Sequence, residues 1–400
     1  MEMYRRTFAE INLDHLYHNY STLKSLAGAD RFFCPMVKAN AYGHGDVQVS
    51  QFLQDLGADV FGVCLIEEGH LLRQSGINSE ILVFRGFDKN GAQKILDLQL
   101  TPVVGTWQQI ESLELAADEP LKVHVKFNTG MNRLGFNTDQ HEKLKHYFKN
   151  SKKLKLSAIL SHYHSGEDAI STQGHSFKQT HEMSLLVDYF SDLDIDFHLL
   201  NSAGISSLAR ARQENNSNHF LENKRWGFRP GLSLYGYDPL KAQMNLELKP
   251  VMTLKSVVNN IRVVKAGETV SYGAQWVAKQ DSLVAVVPIG YADGVHRLLS
   301  NRGKALFAGK EVPIIGRICM DFLMLDLTSA ITADQVNKYD EEEVILFGYD
   351  QSGHLLSAEV AAQASESISW EVLTSVGERV PRKFKPHRVS SLEQDRRGVS

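Results

Sequence analysis

Apolar and polar positions follow one another along this chain in two regimes, which change near residue 240. In the first, short apolar runs occupy residues 32–38, 60–65, 80–86, 101–105, 122–128, 156–162, 197–202 and 227–236. Several are β-branched or aromatic and end at Gly, Asn or Ser. Amphipathic stretches at 67–74, 91–98, 108–117 and 177–190 lie between them. Near-continuous apolar strands alternating with helices predict a parallel sheet buried on both faces. Eight such units predict an α/β TIM barrel with its active site at the C-terminal ends of the strands. Periodicity alone also fits an open doubly wound sheet.

In the second regime, residues 251–264, 282–288, 304–306, 312–316, 323–325 and 343–347 read as short strands. Turn signals such as Lys265-Ala266-Gly267-Glu268 and Ala308-Gly309-Lys310 separate them. Strands without intervening helices predict an antiparallel all-β C-terminal domain. The expected division is a barrel over 11–240 and a β-strand domain over 241–390, with an N-terminal strand from 1–10 packing on the latter. There is no internal repeat. The polar stretch 211–225 predicts a surface insertion.

At 400 residues the chain has room for two domains. Its 43% hydrophobic and 22% charged content is that of a soluble globular protein. A net charge of −4 supplies no pull toward nucleic acid or an anionic membrane. The basic runs Lys152-Lys153 and 379–385 read as solvated faces. Cys34, Cys64 and Cys319 are scattered without metal-ligand spacing. Cys34 and Cys64 lie in apolar runs and are expected in the core, so a reducing compartment fits and no metal is expected. With no apolar signal core and no run long enough to span a bilayer, the expected location is the cytoplasm.

The candidate chemistry begins at Lys38, in Met36-Val37-Lys38-Ala39-Asn40-Ala41-Tyr42-Gly43-His44-Gly45. An apolar strand here delivers a lysine into a glycine-containing loop, where the backbone can approach a ligand closely. Amines held in partly apolar pockets lose solvation of their charged form and can make Schiff bases. This segment is similar to the cofactor-lysine segment of alanine racemases, which carry pyridoxal 5′-phosphate (PLP) on that lysine. The resemblance runs from Ala9-Glu10-Ile11-Asn12-Leu13-Asp14 to Arg379-Val380-Pro381-Arg382. It implies a homodimer with shared active sites, a small amino-acid substrate, and D-alanine made for peptidoglycan.

The resemblance also implies roles, motif by motif. Asn201-Ser202-Ala203-Gly204 and Arg229-Pro230-Gly231-Leu232 resemble the family's phosphate-binding turns, with Asn201, Ser202, Gly231 and Leu232 at the cofactor and Tyr42 reaching the phosphate. Hydroxyls and backbone N–H groups near glycine make anion-binding concavities. Arg229 matches the arginine facing the pyridine nitrogen. It donates and keeps its own proton, because a guanidinium titrates above about 12. A ring left neutral is a poorer electron sink, which favours reprotonation at Cα. In Lys126-Phe127-Asn128-Thr129-Gly130-Met131-Asn132-Arg133, Arg133 matches the arginine that contacts the substrate carboxylate, and Lys126 matches a lysine often found carbamylated. His162 matches a histidine packed on the cofactor ring, while the adjacent His164 has no matched role.

From the second domain, Tyr272 in Ser271-Tyr272-Gly273 matches the catalytic phenol opposite Lys38. An unperturbed phenol titrates near about 10, so it needs a cationic neighbour, and Arg133 could act through a network. Tyr291 matches the entrance tyrosine, and Met320 and Asp321 match the segment that meets the substrate carboxylate.

Three positions depart from the family pattern. Trp370 stands where a phosphate-donating tyrosine is usual, Asn128 stands for an aspartate, and the stretch between Ser202 and Arg229 is longer. Trp offers only an indole N–H. A lost charge-assisted hydrogen bond is worth roughly 1.5–3 kcal/mol of cofactor affinity. The implied activity is alanine racemisation by two-base proton exchange. Alternatives are a broader amino-acid or serine racemase, a PLP-barrel decarboxylase and a non-catalytic PLP-binding protein. An arginine at the pyridine position and the presence of Tyr272 argue against the decarboxylase.

Overall fold

The computed structural model describes residues 5–29, 31–169, 173–214, 226–240, 246–339 and 341–387. The insertion expected at 211–225 falls mostly outside them; residues up to Gln213 complete the helix Ser202–Gln213. Backbone contacts divide the chain into two compact units. One runs from Tyr17 to Lys249, and the other joins the residues up to Leu16 with those from Pro250 onward.

The first unit is a barrel of parallel staves. Val60–Val63, Glu80–Val83, Thr101–Val104, Leu121–Asn128, Leu154–Leu160, Asp196–Leu200 and Gly227–Phe228 pair in that order. The eighth stave is the earliest in sequence and consists of two bridges. Phe33 pairs with Phe228 and Met36 with Gly62, both parallel. Cys34 N–H donates to Phe228 O and Val37 N–H to Gly62 O, at 2.9 Å each, so this segment joins the last stave to the second and closes the ring. The predicted strand at 227–236 is shorter: only Gly227–Phe228 is extended, and Leu232–Tyr235 forms a 3₁₀ turn.

Side chains such as Ile81, Leu82, Val83, Val104 and Val123 are wholly buried. That is why these strands read as apolar on both faces. Helices Ile66–Gln74, Lys89–Asp97, Trp107–Ala116 and His175–Tyr189 lie between staves. Asp88 caps one by accepting the Asn90 and Gly91 N–H groups, and Thr106 caps another at Gln109 N–H.

The second unit is a mostly antiparallel sheet. Its path is Asn260–Val264, Ser282–Val287, Leu323–Asp326, Lys310–Ile315, Lys304–Phe307, Glu343–Tyr349, Met252–Val257, Phe8–Asn12 and Arg382–Lys385. The single strand expected at 251–264 is two, broken at Val258-Asn259. The unit is also not purely β, since Ala358–Ala364 and Ser369–Thr374 are helices.

The basic run at 379–385 is a solvated face in part: Arg379, Lys383 and Lys385 are exposed, while Arg382 is half-buried. Arg382–Lys385 is a strand parallel to Phe8–Asn12, Arg382 donates to the Gly377, Val380 and Val376 carbonyls, and Lys383 lies over the Phe8 ring. Cys34 is buried as expected, but Cys64 is half-buried at a strand end.

Gly227 marks a tight point of barrel closure. A Cβ there would stand 2.7 Å from His198 Cβ and 2.9 Å from Phe32 Cβ, atoms tied to backbone. Gly227→Ala is expected to cost about 1–3 kcal/mol of stability, read as a lowered urea midpoint at unchanged m-value.

Candidate active site

Lys38 is half-buried and follows directly on the closing stave. The next four residues, Ala39, Asn40, Ala41 and Tyr42, have φ of 53°, 53°, 51° and 53°. Each non-glycine residue in that left-handed region costs roughly 1–2 kcal/mol. Such strain persists only where the surroundings over-determine it. Here Gly43 N–H donates to Ala39 O and Gly45 N–H to Asn40 O, both at 3.0 Å. The Asn40 side chain accepts Asp46 N–H at 2.9 Å, and Glu68 accepts Ala39 N–H at 2.6 Å. The turn buries Tyr42, whose ring stacks on Tyr235 at 5.1 Å. Burial pushes the Tyr42 phenol above its usual range, and the nearby Cys64 adds to this.

An anion cradle adjoins this turn. Asn201 caps the helix Ser202–Gln213 by accepting Gly204 N–H at 3.0 Å. Ser202 Oγ accepts the Gly231 and Ser233 N–H groups, each at 3.1 Å, and the Ser233 hydroxyl at 3.0 Å. Any side chain at Gly231 would strike the Tyr42 hydroxyl, 2.3 Å from an ideal Cβ. Leu232 is buried beside it. Donors, a helix N-terminus and a phenol thus converge where no side chain could fit at Gly231. That set suits a phosphate-like dianion.

Arg229 is 4% exposed. Its Nη2 donates to Ser161 O at 2.7 Å and faces His162 Nδ1 at 3.3 Å, while Nη1 lies 2.8 Å from His198 Nδ1. A guanidinium can only donate, so His198 Nδ1 accepts and its Nε2 carries the hydrogen. That Nε2 then donates to His124 Nδ1, 3.0 Å away. Burial, then Arg229, lowers the pKa of His124 to about 3 and carries His162 and His198 well below the ordinary imidazole range. Burial brings Arg229 down to about 10, so it stays charged at neutral pH. His164, by contrast, is exposed and bonded to Ser165.

Lys126 is buried with no hydrogen-bond partner for its amine among the described residues. Burial first, then Arg229, Arg133 and Lys38, bring its pKa down to about 8. Asn128 organises the loop that carries Arg133. Its Oδ1 accepts the Gly130 and Asn132 N–H groups, and its Nδ2 donates to Asn132 Oδ1 at 2.8 Å. An aspartate could make only the first two bonds, so the departure at Asn128 gains a donor while losing a charge. Arg133 is exposed on that loop.

The remaining predicted residues belong to the second unit. Tyr272, 71% exposed, opens a 3₁₀ turn anchored by Ser271 Oγ donating to Arg317 O at 2.6 Å. Tyr291 and Met320 are 43% and 53% exposed, and their segments are tied together: Tyr291 N–H donates to Cys319 O and Ala292 N–H to Met320 O, both at 3.0 Å. The Asp321 carboxylate is already engaged, accepting Arg379 Nη2 at 2.7 Å. Arg379 also approaches the wholly buried Asp293, which Arg5 grips through both carboxylate oxygens at 2.6 Å. Burial pushes the Asp293 carboxyl up, but the Arg5 and Gly290 hydrogen bonds and the two guanidinium charges carry it below its usual range. The Trp370 indole N–H has no partner among the described residues.

Lys38, Tyr42, Lys126, Arg133, His162, Asn201, Ser202, Arg229, Gly231 and Leu232 all belong to the first unit. Sequence reasoning missed His124, His198 and Glu68. His124, Lys126 and Asn128 occupy alternate positions of one strand, so they share a face. Polar residues recurring with period two inside an apolar strand were the available signal.

Residues 11–239 match the family described as alanine racemase, N-terminal domain, and residues 251–384 match alanine racemase, C-terminal domain. The chain is 36% identical over 384 residues to the alanine racemase of Thermodesulfovibrio yellowstonii, covering 94% of this chain and 97% of that one. Among solved structures it resembles the alanine racemase of Clostridium difficile 630 (TM-score 0.83, 30% identity, 96% of this chain and 97% of that one). It also resembles that of a D-cycloserine-producing Streptomyces lavendulae (TM-score 0.85, 27% identity, 97% and 99%).

The buried imidazoles set an acid limit. An unfolded histidine titrates near about 6.5, so below that pH the unfolded chain binds more protons than the native one. His124 therefore contributes stability that is complete above about pH 6.5 and lost as pH falls toward its native value of about 3. Each such histidine adds up to about 1.4 kcal/mol per pH unit. Thermal melts between pH 7 and 4 are expected to fall more gently for His124→Asn than for the parent chain.

Proposed function

The chain belongs to the alanine racemase family of PLP-dependent amino-acid isomerases, and on that premise we propose how it interconverts L-alanine and D-alanine. The observation that carries the reading is the donor set around Lys38. The Ser202–Gly231–Tyr42 cradle adjoins the left-handed turn after Lys38, and Arg229 is buried with no carboxylate partner among the described residues. A decarboxylase of this barrel type would need an acidic group at the Arg229 position.

These residues fit PLP. Ser202, Gly231, Leu232, Asn201 and Tyr42 would hold its phosphate, Lys38 its aldehyde carbon, Arg229 its ring nitrogen and His162 a ring face. Bound there, PLP supplies a covalent handle for the amino group and an electron sink that acidifies the Cα proton. Arg229 keeps its protons and only donates, so it leaves the facing nitrogen unprotonated and the sink weak. A weak sink favours return of the proton to Cα. The Lys38 amine takes or returns that proton on one face, and the Tyr272 phenol serves the other. Arg133, with Met320 and Asp321, receives the substrate carboxylate, and Tyr291 narrows the approach. Because Asp321 is bound by Arg379, its share is to hold the Met320 backbone in place.

The barrel over 11–240 is the cofactor domain, and 241–390 with the N-terminal strand is the domain of the second base. The 71% exposure of Tyr272 supports a homodimer in which the partner subunit's Tyr272 completes each site. No helix among the described residues is long and apolar enough to cross a membrane. A cytoplasmic enzyme supplying D-alanine for peptidoglycan fits this.

Lys126 would carry a carbamate. An amine at about 8 with cationic neighbours and no acid partner is partly neutral near neutral pH, and a carbamate would place the missing negative charge beside Arg133. Intact mass from bicarbonate-containing buffer is expected to exceed the sequence mass by one CO2, and Lys126→Ala should lose that increment.

With PLP added, the circular dichroism of L-alanine is expected to decay to zero. Tyr272→Phe is expected to slow the decay at least about 10²-fold while leaving the visible absorbance of the Lys38-bound cofactor intact. Undiminished racemisation by that variant would remove Tyr272 from the chemistry.

A further inference from the structure

Glu68 stands third in the helix Ile66–Gln74. Its Oε2 accepts the Cys64 N–H at 2.7 Å and the Leu65 N–H at 3.0 Å, and its Oε1 accepts the Ala39 N–H at 2.6 Å. The first two contacts are those of an acidic residue reaching back over its own helix N-terminus. The third is not explained by capping. It spans 29 residues and lands on the amide that follows Lys38.

Ala39 opens the left-handed turn, and both it and Asn40 are exposed. Packing therefore does not hold the start of the turn. On its carbonyl side Ala39 is bound by Gly43 N–H, and on its amide side by Glu68. The carboxylate makes no ion pair among the described residues, so its charge is taken up by three backbone amides.

We propose that Glu68 is a positioning residue for Lys38, clamping the Lys38–Ala39 peptide to the end of the strand Val60–Val63 so that the amine is aimed at the reacting carbon. The proposal rests on the reading of Lys38 as the cofactor lysine. Proton transfer at Cα demands placement within a fraction of an ångström, and a peptide free to leave the left-handed region would swing the whole lysine stem.

Glu68→Gln tests this. The amide can accept with one oxygen, but its NH2 then meets N–H groups where the carboxylate had accepted. The variant is expected to lose about tenfold or more in kcat with KM for alanine changed less than twofold. It should bind PLP more weakly when the apoprotein is titrated, and the visible dichroism band of bound PLP should shrink or change sign. Thr106→Ala, which removes a helix cap elsewhere in the barrel, is the control. It should lower the melting temperature without moving the band or kcat.

Ala39→Gly in the Glu68→Gln background should restore part of kcat and of the band, because glycine takes positive φ freely. If Glu68→Gln does not fold, Glu68→Asp, which keeps the charge but shortens the reach, is read by the same measurements. Parental kcat and band in a folded Glu68 variant overturn the proposal, whatever its melting temperature. A parent chain that binds PLP but leaves alanine unracemised overturns the functional reading instead, and the band of the Glu68 variant still decides the clamp.

Discussion

Closure of the barrel through two bridges is the constraint on which the rest of the first unit depends. Residues 33–36 are too short and irregular to make a full ladder, yet they hydrogen-bond to Phe228 on one side and Gly62 on the other. The chain leaves this stave directly into Lys38. The lysine is therefore fixed by the ring itself, at the end of the strands where barrel sites form. Gly62 and Gly227 are needed because the neighbouring staves and the side chains of Met36, Phe32 and His198 approach within van der Waals contact. The strained turn that follows is tolerable only because the ring anchors its start and hydrogen bonds from outside hold its body.

The same end of the barrel concentrates positive charge. Arg229, Arg133 and Lys38 are close enough to depress Lys126, and none of the four pairs with a carboxylate among the described residues. Lys126 and Arg229 are buried, and isolated buried cations are costly, so this pair is stable only where carbonyls, neutral imidazoles or a bound anion compensate. Ser161 O and the Arg229–His198–His124 chain provide part of that compensation. The cluster is thus built to receive negative charge, from a phosphate, a substrate carboxylate or a carbamate.

In the second unit the organising interaction is a buried carboxylate. Asp293 is held by Arg5 and approached by Arg379, and Arg379 also binds Asp321. This joins the Tyr291 and Met320 segments to Arg5, just ahead of the strand Phe8–Asn12. The segments are tied to each other through backbone hydrogen bonds while the Tyr291 and Met320 side chains remain exposed.

Much of this was legible in the sequence. Apolar strands alternating with amphipathic helices, then strands without helices, determined a parallel α/β unit followed by an antiparallel sheet, because burial on two faces or one leaves its own period; closure into a barrel was decided by the bridges at Phe33 and Met36. The ten residues around Lys38, and the motifs at Ser202, Arg229, Arg133 and Tyr272, carried the family resemblance that implied the chemistry, through their order along the chain and not through any one of them alone. The tertiary structure alone decided what those residues touch. That Phe8–Asn12 joins a sheet completed beyond residue 250 depends on pairing across the length of the chain. That Arg229 rests on His198 and His162, that Asp321 is occupied by Arg379 and that Glu68 grips the amide after Lys38 are contacts between residues 29 to 67 positions apart. Local periodicity carries no record of such distances, because a hydrogen bond between remote segments leaves no spacing to read.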